Sequence, residues 1–398
     1  MSPNSWKTKI LIGAAAALLA ATTLPVLAAS GSSTVSSHSV IKVMASGFFA
    51  GAASPLSEEP GSFEAAVKYV NSTGGIHGHK IALTLCNDQN NPNVAQGCAI
   101  KAKSNKDVAV LTSLSQQSSA VLPTLNQAGI PYVGDLAQLK ADVTLGVSFP
   151  SGLGSYDSGP AIADTVVVSG CTKVAVIVLD AGAITTVLEN GFDAGLAAKK
   201  IDLVDTIVAP IGTPSYTSDV AAAVAKGAQC IIGATLPTDT VALMNAIQQS
   251  GNGLFLISFA TSLPALSSLG TLGVGTYFMG LSRTPTDRNP QVQAADKLIK
   301  KYSPGTPLTS DGLMAFAAVL LLKDGLLNVK GSVYTAATVR HGLNALSNAS
   351  TDGIFHPYTA KKLSSAEPRQ FNPYALTYKI TGPGTTTTDG SWNLLPGF

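Results

Sequence analysis

Residues 71–98 (NSTGGIHGHKIALTLCNDQNNPNVAQGC) constrain the fold of this chain more than any other stretch. A helix over 63–70 ends at Asn71, and Gly74 and Gly75 supply the left-handed backbone that stops a helix. Residues 76–79 make a turn, and 80–85 alternate as a short strand. Asn87 and Asp88 leave the strand end, and Pro92 opens the next helix in its first turn, where a missing N–H costs nothing. Upstream, 41–45 reads as a strand leading into a loop rich in glycine and alanine over 47–54. Strand, loop, helix, tight glycine turn, strand, helix is the opening of a doubly wound parallel α/β domain.

The same residues carry a family resemblance. Helix, N-x-x-G-G-I-x-G, strand and x-D-x-x-x-x-P in that order, followed by Ala128-Gly129-Ile130-Pro131 and further strand–helix units, resemble type I periplasmic binding proteins. The likeness is to the leucine/isoleucine/valine-binding group of ABC-transporter receptors, and it runs from about Val40 to Tyr378. It implies two doubly wound parallel-sheet lobes joined by a three-segment hinge. The implied function is capture of a small molecule between the lobes and its delivery to an ABC permease.

At 398 residues the chain holds two ordinary domains, each large enough for its own core. Hydrophobic residues make up 45% and charged residues 12%. After the N-terminus the apolar residues come in short segments, as in buried parallel strands, and not in membrane-length runs. A net charge of +2 without a basic cluster excludes nucleic acid as the expected partner. Residues 1–28 read as a signal peptide: Lys7 and Lys9, an apolar core over 10–21, and a small-residue site at Val26-Leu27-Ala28. An uncleaved membrane anchor is the competing reading, and Thr22, Thr23 and Pro25 favour cleavage. No Cys stands near Ala28, so a lipoprotein anchor is not expected, and 29–39 is a Ser-rich disordered tail. The chain is therefore expected outside the cytoplasm.

Four cysteines fit export and allow three pairings. Cys86 ends a strand and Cys98 lies on the following helix, so a local bridge closes easily. Cys171 precedes the strand 174–179 and Cys230 starts the strand 231–234; the first and third strands of a doubly wound lobe are neighbours. Four free thiols remain the alternative.

Lobe 1 is expected over 40–150 and 282–370, and lobe 2 over 151–281 and 371–398. Crossovers fall near 149–154, 280–287 and Gln370, and 385–390 reads as a low-complexity turn. The cleft between the lobes faces the C-terminal ends of both sheets, where doubly wound proteins bind ligands.

No catalytic constellation is present: no G-x-S-x-G, H-E-x-x-H, G-x-x-x-x-G-K-[ST], or G-x-G-x-x-G after the first strand. An enzyme, a cofactor and a metal are not expected. His77 and His79 flank Gly78 and read as a solvated turn, not as metal ligands. Asp88 reads as structural, capping the loop or helix that leads to Pro92. The Ser/Gln loop 112–119, between a strand and a helix, offers hydroxyls and N–H groups to an anion; ordinary capping by Ser118 or Ser119 is the plainer use.

The resemblance assigns the ligand's carboxylate to this loop and the next. The family's carboxylate-binding Ser falls on Ser115, flanked by Ser113, Leu114 and Gln116. The next loop contributes Leu136 and Gln138, where the family usually has Ala and Thr. Phe48 and Phe49 either floor the cleft or fill the core. In amino-acid receptors of this group an acid and two tyrosines hold the α-ammonium. The acid's place falls at about Phe259, and the tyrosine places at about Ile184 and Thr235; an aromatic of the first-lobe loop becomes Pro55. Asp180 or Asp311 replaces the acid only from another direction. A buried ammonium without a partner costs several kcal/mol. The expected ligand is thus a small apolar or aromatic carboxylate and not a free α-amino acid. The expected protein is a monomeric solute receptor, with an extracellular sensor of the same fold as the alternative and a hydrolase on this scaffold as a distant third.

Overall fold

The run Ile41–Gly47 forms β1, buried at every position but Lys42. The computed structural model describes residues 39–51, 56–259, 263–264, 266–395 and 398; the signal peptide expected over 1–28, the tail expected over 29–39 except Ser39, and the cleft position expected at Pro55 lie outside them. After β1 come α1 (Glu59–Ser72) and β2 (Ile81–Asn87). The turn between them explains the N-x-x-G-G pattern. The Asn71 side chain donates to the Ile81 carbonyl and accepts from the Ile81 N–H, both at 2.8 Å, which fixes the helix end to the strand start. Gly75 has φ +72°, and a Cβ there would stand 2.1 Å from the His79 carbonyl oxygen. His79 is not solvated as expected. It is buried, with Nδ1 2.7 Å from the Ser39 carbonyl oxygen and its ring edge-on to Tyr334 at 5.0 Å.

Helix α2 (Pro92–Asn105) opens with Pro92 in its first turn, and Asn91 is the N-cap, accepting from Asn93 N–H at 2.9 Å and Val94 N–H at 3.3 Å. Asp88 serves the loop and not the helix: its Oδ1 accepts from Asn90 N–H at 2.8 Å. Then follow β3 (Val110–Leu111), α3 (Ser118–Ala128), β4 (Tyr132–Val133), β5 (Leu136–Ala137), α4 (Lys140–Thr144), β6 (Ser148–Phe149) and β7 (Gly152–Leu153). The first sheet runs β2-β1-β3-β4-β6, parallel throughout. The pair β5–β7 forms a small parallel sheet of its own, where the chain leaves the first lobe.

The second sheet repeats the plan with α5 (Ser158–Ser169), β8 (Lys173–Leu179), α6 (Ala183–Ala198), β9 (Asp202–Ala209), α7 (Thr217–Ala225), β10 (Cys230–Ala234), α8 (Pro237–Ser250), β11 (Phe255–Phe259) and β12 (Tyr277–Gly280). Helices α5 and α6 pack at backbone distance: a Cβ on Gly159 would fall 1.9 Å from the Gly191 carbonyl oxygen. The chain then returns through α9 (Pro290–Tyr302), α10 (Ser310–Leu327) and α11 (Ala336–Asn344) to pack on the first lobe, α10 against α1, β3 and β4. Helix α10 is apolar on every face over 313–322 because it is buried on every face there. No helix among the described residues is long and apolar enough to cross a membrane. Finally β13 (Tyr374–Gly382), β14 (Thr385–Thr387) and β15 (Asn393–Leu394) complete the second sheet, ordered β14-β13-β12-β11-β10-β8-β9 with β15 also on β13. The expected low-complexity turn at 385–390 is in part a strand: Gly384, at φ +63°, turns the β13–β14 hairpin.

Both bridges form, Cys86–Cys98 with Cα atoms 5.9 Å apart and Cys171–Cys230 at 6.3 Å. The second joins the β8 edge to β10, its parallel neighbour. Side chains tie the third crossing segment to the first and to His356. Asn372 Nδ2 donates to the carbonyls of Ser151 (2.8 Å) and His356 (3.0 Å), and Gln370 Nε2 donates to Asp157 Oδ2 at 2.9 Å.

Candidate functional site

The loops after β1, β2, β3 and β4 face those after β8, β10 and β11 across a cleft. It holds two adjoining cavities of about 540 and 500 Å3, within the range of small-molecule sites. Phe48, Asn90, Leu114, Gln116, Leu236 and Pro237 border both. The loop carrying Phe48 is held by Asn87 at the end of β2. Its Oδ1 accepts from the N–H groups of Phe49 (3.0 Å) and Ala50 (3.3 Å), and its Nδ2 donates to the Ala50 carbonyl at 2.9 Å. Asn90 ties the next two loops together, donating to Gln116 Oε1 at 3.0 Å and accepting from Gln117 Nε2 at 2.7 Å.

The smaller cavity is lined by Leu136, Gln138, Ile184, Thr235 and Phe259, with Leu179, Leu188, Ile211 and Leu281 completing an apolar wall. Gln138 is oriented by Ser155, whose hydroxyl donates to its Oε1 at 2.6 Å. Thr235 Oγ1 lies 2.6 Å from Thr240 Oγ1, so its hydroxyl is already engaged. Phe259 packs on Phe192 with centroids 6.1 Å apart. The larger cavity takes Ser115 and Asp311, with Leu56, Glu58, Asp88 and Phe278.

Three expected residues stand elsewhere. Phe49 turns into the core, edge-on to Phe63 at 6.3 Å, so the choice between floor and core resolves to core. Ser113 is buried, its hydroxyl donating to Glu59 Oε1. Asp180 is exposed, its Oδ1 accepting from Gly182 N–H at 3.4 Å, and it borders neither cavity.

The anion corner expected at 113–116 is filled by the chain's own carboxylates. Glu59 takes the Ser113 hydroxyl, and Asp135 Oδ1 takes the Ser115 N–H at 2.9 Å. The Ser115 hydroxyl oxygen accepts from Gln117 N–H at 3.1 Å. The expected capping serines are diverted too: α3 has Gln117 at its N-cap, and Ser118 donates to Asp142 Oδ2 at 3.1 Å. No Lys, Arg or His borders either cavity. Burial lifts the Glu59 and Asp135 carboxyls well above the usual range. It also pushes Asp311 up to about 8, with the charge of Glu58 adding to the effect.

Sequence reasoning passed over Glu58 and Glu59, although paired acids just before a helix are a recognisable N-terminal feature. The loop 235–238 is expected in the opposing wall from its place after a strand, and Leu236 and Pro237 are its residues that border both cavities. No group of three or more His, Cys, Asp or Glu among the described residues is disposed to hold a metal ion.

A family model described as periplasmic binding protein matches residues 41–370. No curated protein matches the chain. Solved structures do. A fatty acid ABC transporter substrate-binding protein from Thermomonospora curvata superposes with TM-score 0.75 at 14% identity, covering 90% of this chain and 93% of its own. An ABC-transporter solute-binding protein from R. palustris, in complex with benzoate, gives 0.74 at 18% identity over 90% of this chain and 99% of its own. A branched-chain amino acid transporter substrate-binding protein from Streptococcus pneumoniae, in complex with isoleucine, gives 0.74 at 14% identity over 89% and 100%. At such identities the likeness is one of fold: two α/β lobes of the type I periplasmic-binding-protein kind.

Proposed function

This chain belongs to the periplasmic binding protein family, and from that premise we propose that it is the extracytoplasmic receptor of an ABC importer, closing on a small, largely apolar ligand. The observation that carries this reading is the cleft itself. Two adjoining cavities lie at the C-terminal ends of both sheets, walled by Phe48, Leu114 and Leu136 from one side and Ile184, Leu236 and Phe259 from the other. A ligand gains about 25 cal/mol for each Å2 these side chains still expose; Phe48, Leu114, Ile184 and Leu236 are half-buried, and Leu136 and Phe259 are already buried. Burying both walls at once favours the closed state over the open one, and that differential is what closes a hinge.

The lobes in this proposal are 40–150 with 282–370 and 151–281 with 371–398, the three crossing segments acting as the hinge. The chain acts as a monomer outside the cytoplasm, after removal of residues 1–28, and hands its ligand to a membrane permease. Gln138, with its amide oriented by Ser155, offers an N–H donor to the ligand inside the apolar half. Solved proteins of this fold are named for a fatty acid and hold benzoate or isoleucine, ligands that are mostly hydrocarbon with one polar end. That common chemistry supports an apolar body for this ligand. A carboxylate end loses part of its expected support here, because the Ser113 hydroxyl is taken by Glu59 and the Ser115 N–H by Asp135.

A thermal-shift screen of small aliphatic and aromatic compounds tests the proposal. A ligand at a hundredfold excess over its Kd stabilises by about 2.7 kcal/mol. The expected result is stabilisation by apolar compounds that Leu236→Arg and Ile184→Asp abolish. Stabilisation that survives both substitutions would place binding outside the cleft and contradict the proposal.

A further inference from the structure

One end of the larger cavity is acidic without compensation. Glu58 and Asp311, each 8% exposed, and Asp88, 2% exposed, border it, and Glu59 lies fully buried behind them. Three of their oxygens accept hydrogen bonds from the protein: Glu58 Oε1 from Thr309 Oγ1 at 2.8 Å, Asp88 Oδ1 from Asn90 N–H, and Glu59 Oε1 from Ser113. Asp311 Oδ1 and Glu59 Oε2 are buried with no hydrogen-bond partner among the described residues, and of the two residues Asp311 is the one that borders the cavity. None of the four carboxylates is in an ion pair with a described residue.

A protein does not leave a buried acceptor and its neighbouring acids unanswered at no cost. The ends of the cleft are also unequal, since the smaller cavity carries no acid at all. A ligand with a carboxylate would set a further negative charge beside Glu58 and would hold Asp311, whose carboxyl burial already keeps protonated, in its neutral form. A ligand with a hydroxyl would satisfy one acceptor and leave the charge in place. A protonated amine satisfies both demands, donating up to three hydrogen bonds and cancelling charge. A metal ion is a poorer occupant, because no described set of three ligating side chains converges there.

The geometry points to a cationic ligand end: the chain binds a primary amine on an apolar or aromatic body, with its ammonium on Asp311 and Glu58. This assignment rests on the cleft being the ligand site. It differs in kind from the α-ammonium site implied by the family resemblance, which sits across the cleft near Phe259 and has no acid there.

Calorimetry on the full chain with phenethylamine, phenethyl alcohol and phenylacetate tests it, because the three share a body and differ in the polar end. The amine should bind roughly tenfold or more tightly than the alcohol, and the acid more weakly than either, as expected for a charge-assisted hydrogen bond. Asp311→Asn should weaken the amine by roughly tenfold while leaving the alcohol within about threefold, and Glu58→Gln should weaken it less. The retained alcohol binding, with a cooperative melt, reports that each variant is folded. Tighter binding of the acid than of the amine, or an amine affinity indifferent to Asp311→Asn, overturns the assignment while leaving the apolar cleft intact. Binding by none of the three overturns both readings.

Discussion

Asp311 stands in the first turn of α10, and its burial links ligand binding to pH and stability. Its ordinary value is 3.8, and in the folded chain it is pushed up to about 8 by burial and by the charge of Glu58. Between about pH 4 and 8 the folded state therefore holds a proton that the unfolded state has lost. Its contribution to stability is present at the acid end and is lost as pH rises through about 8. Asp157, lifted to about 7 by burial, acts in the same direction. The chain should therefore melt higher near pH 5 than near pH 8, opposite to the usual acid-denaturing trend. Asp311→Asn should raise the melting temperature of the ligand-free chain by about 2 °C or more near pH 8 and by clearly less near pH 5, where little of the penalty has accumulated. A variant that melts lower at both values would show the carboxylate to be a stabilising structural group, and would contradict this account. The same substitution that stabilises the empty cleft is the one predicted to weaken the amine, the trade-off expected of a strained binding residue.

At the scale of elements, the two bridges should separate stability from binding. Cys86–Cys98 closes a short span that contains Asp88 and Asn90, both bordering the cleft, whereas Cys171–Cys230 joins strand starts at the far end of the second sheet. Replacing either pair by serine should cost about 2–4 kcal/mol, the longer span more. Only the Cys86/Cys98 pair should also weaken ligand binding, which denaturation and calorimetry on both variants will show. Gly159→Ala, which drives a methyl into the Gly191 backbone, should cost about 1–3 kcal/mol by overpacking α5 on α6. A cost near zero would mean the helices separate freely. Most helices and the long strands of both sheets were legible in the sequence, because buried parallel strands and alanine-rich helices alternate with clear breakers. The bridges were legible too: Cys86 and Cys98 are close along a strand–helix turn, and strand order places Cys171 beside Cys230. The edge hairpin β13–β14 was not, because Thr385–Thr387 has neither alternation nor apolar residues and gains its pairing only from β13. The site was half legible. Loop positions such as Leu114, Gln138 and Ile184 followed from the family resemblance, but what each donor bonds to did not. Ser113 and Ser115 looked available until Glu59 and Asp135, distant in sequence, were folded against them.

At the scale of the whole molecule, three crossing segments join two sheets that each present loops to one cleft, and side chains tie the crossings to one another. Asn372 and Gln370 tie the third segment to the first through Ser151 and Asp157, and Tyr378 on β13 donates to Asp287 of the second at 2.7 Å. Rigid-body closure about them is the motion the architecture provides. The central claim is that ligand drives this closure. Small-angle X-ray scattering of the full chain, titrated with the tightest compound of the matched series to calorimetric saturation, tests it directly. The account predicts a radius of gyration that falls with occupancy at one ligand per chain and stays unchanged in Leu236→Arg. An unchanged radius at saturation in the unsubstituted chain would contradict it.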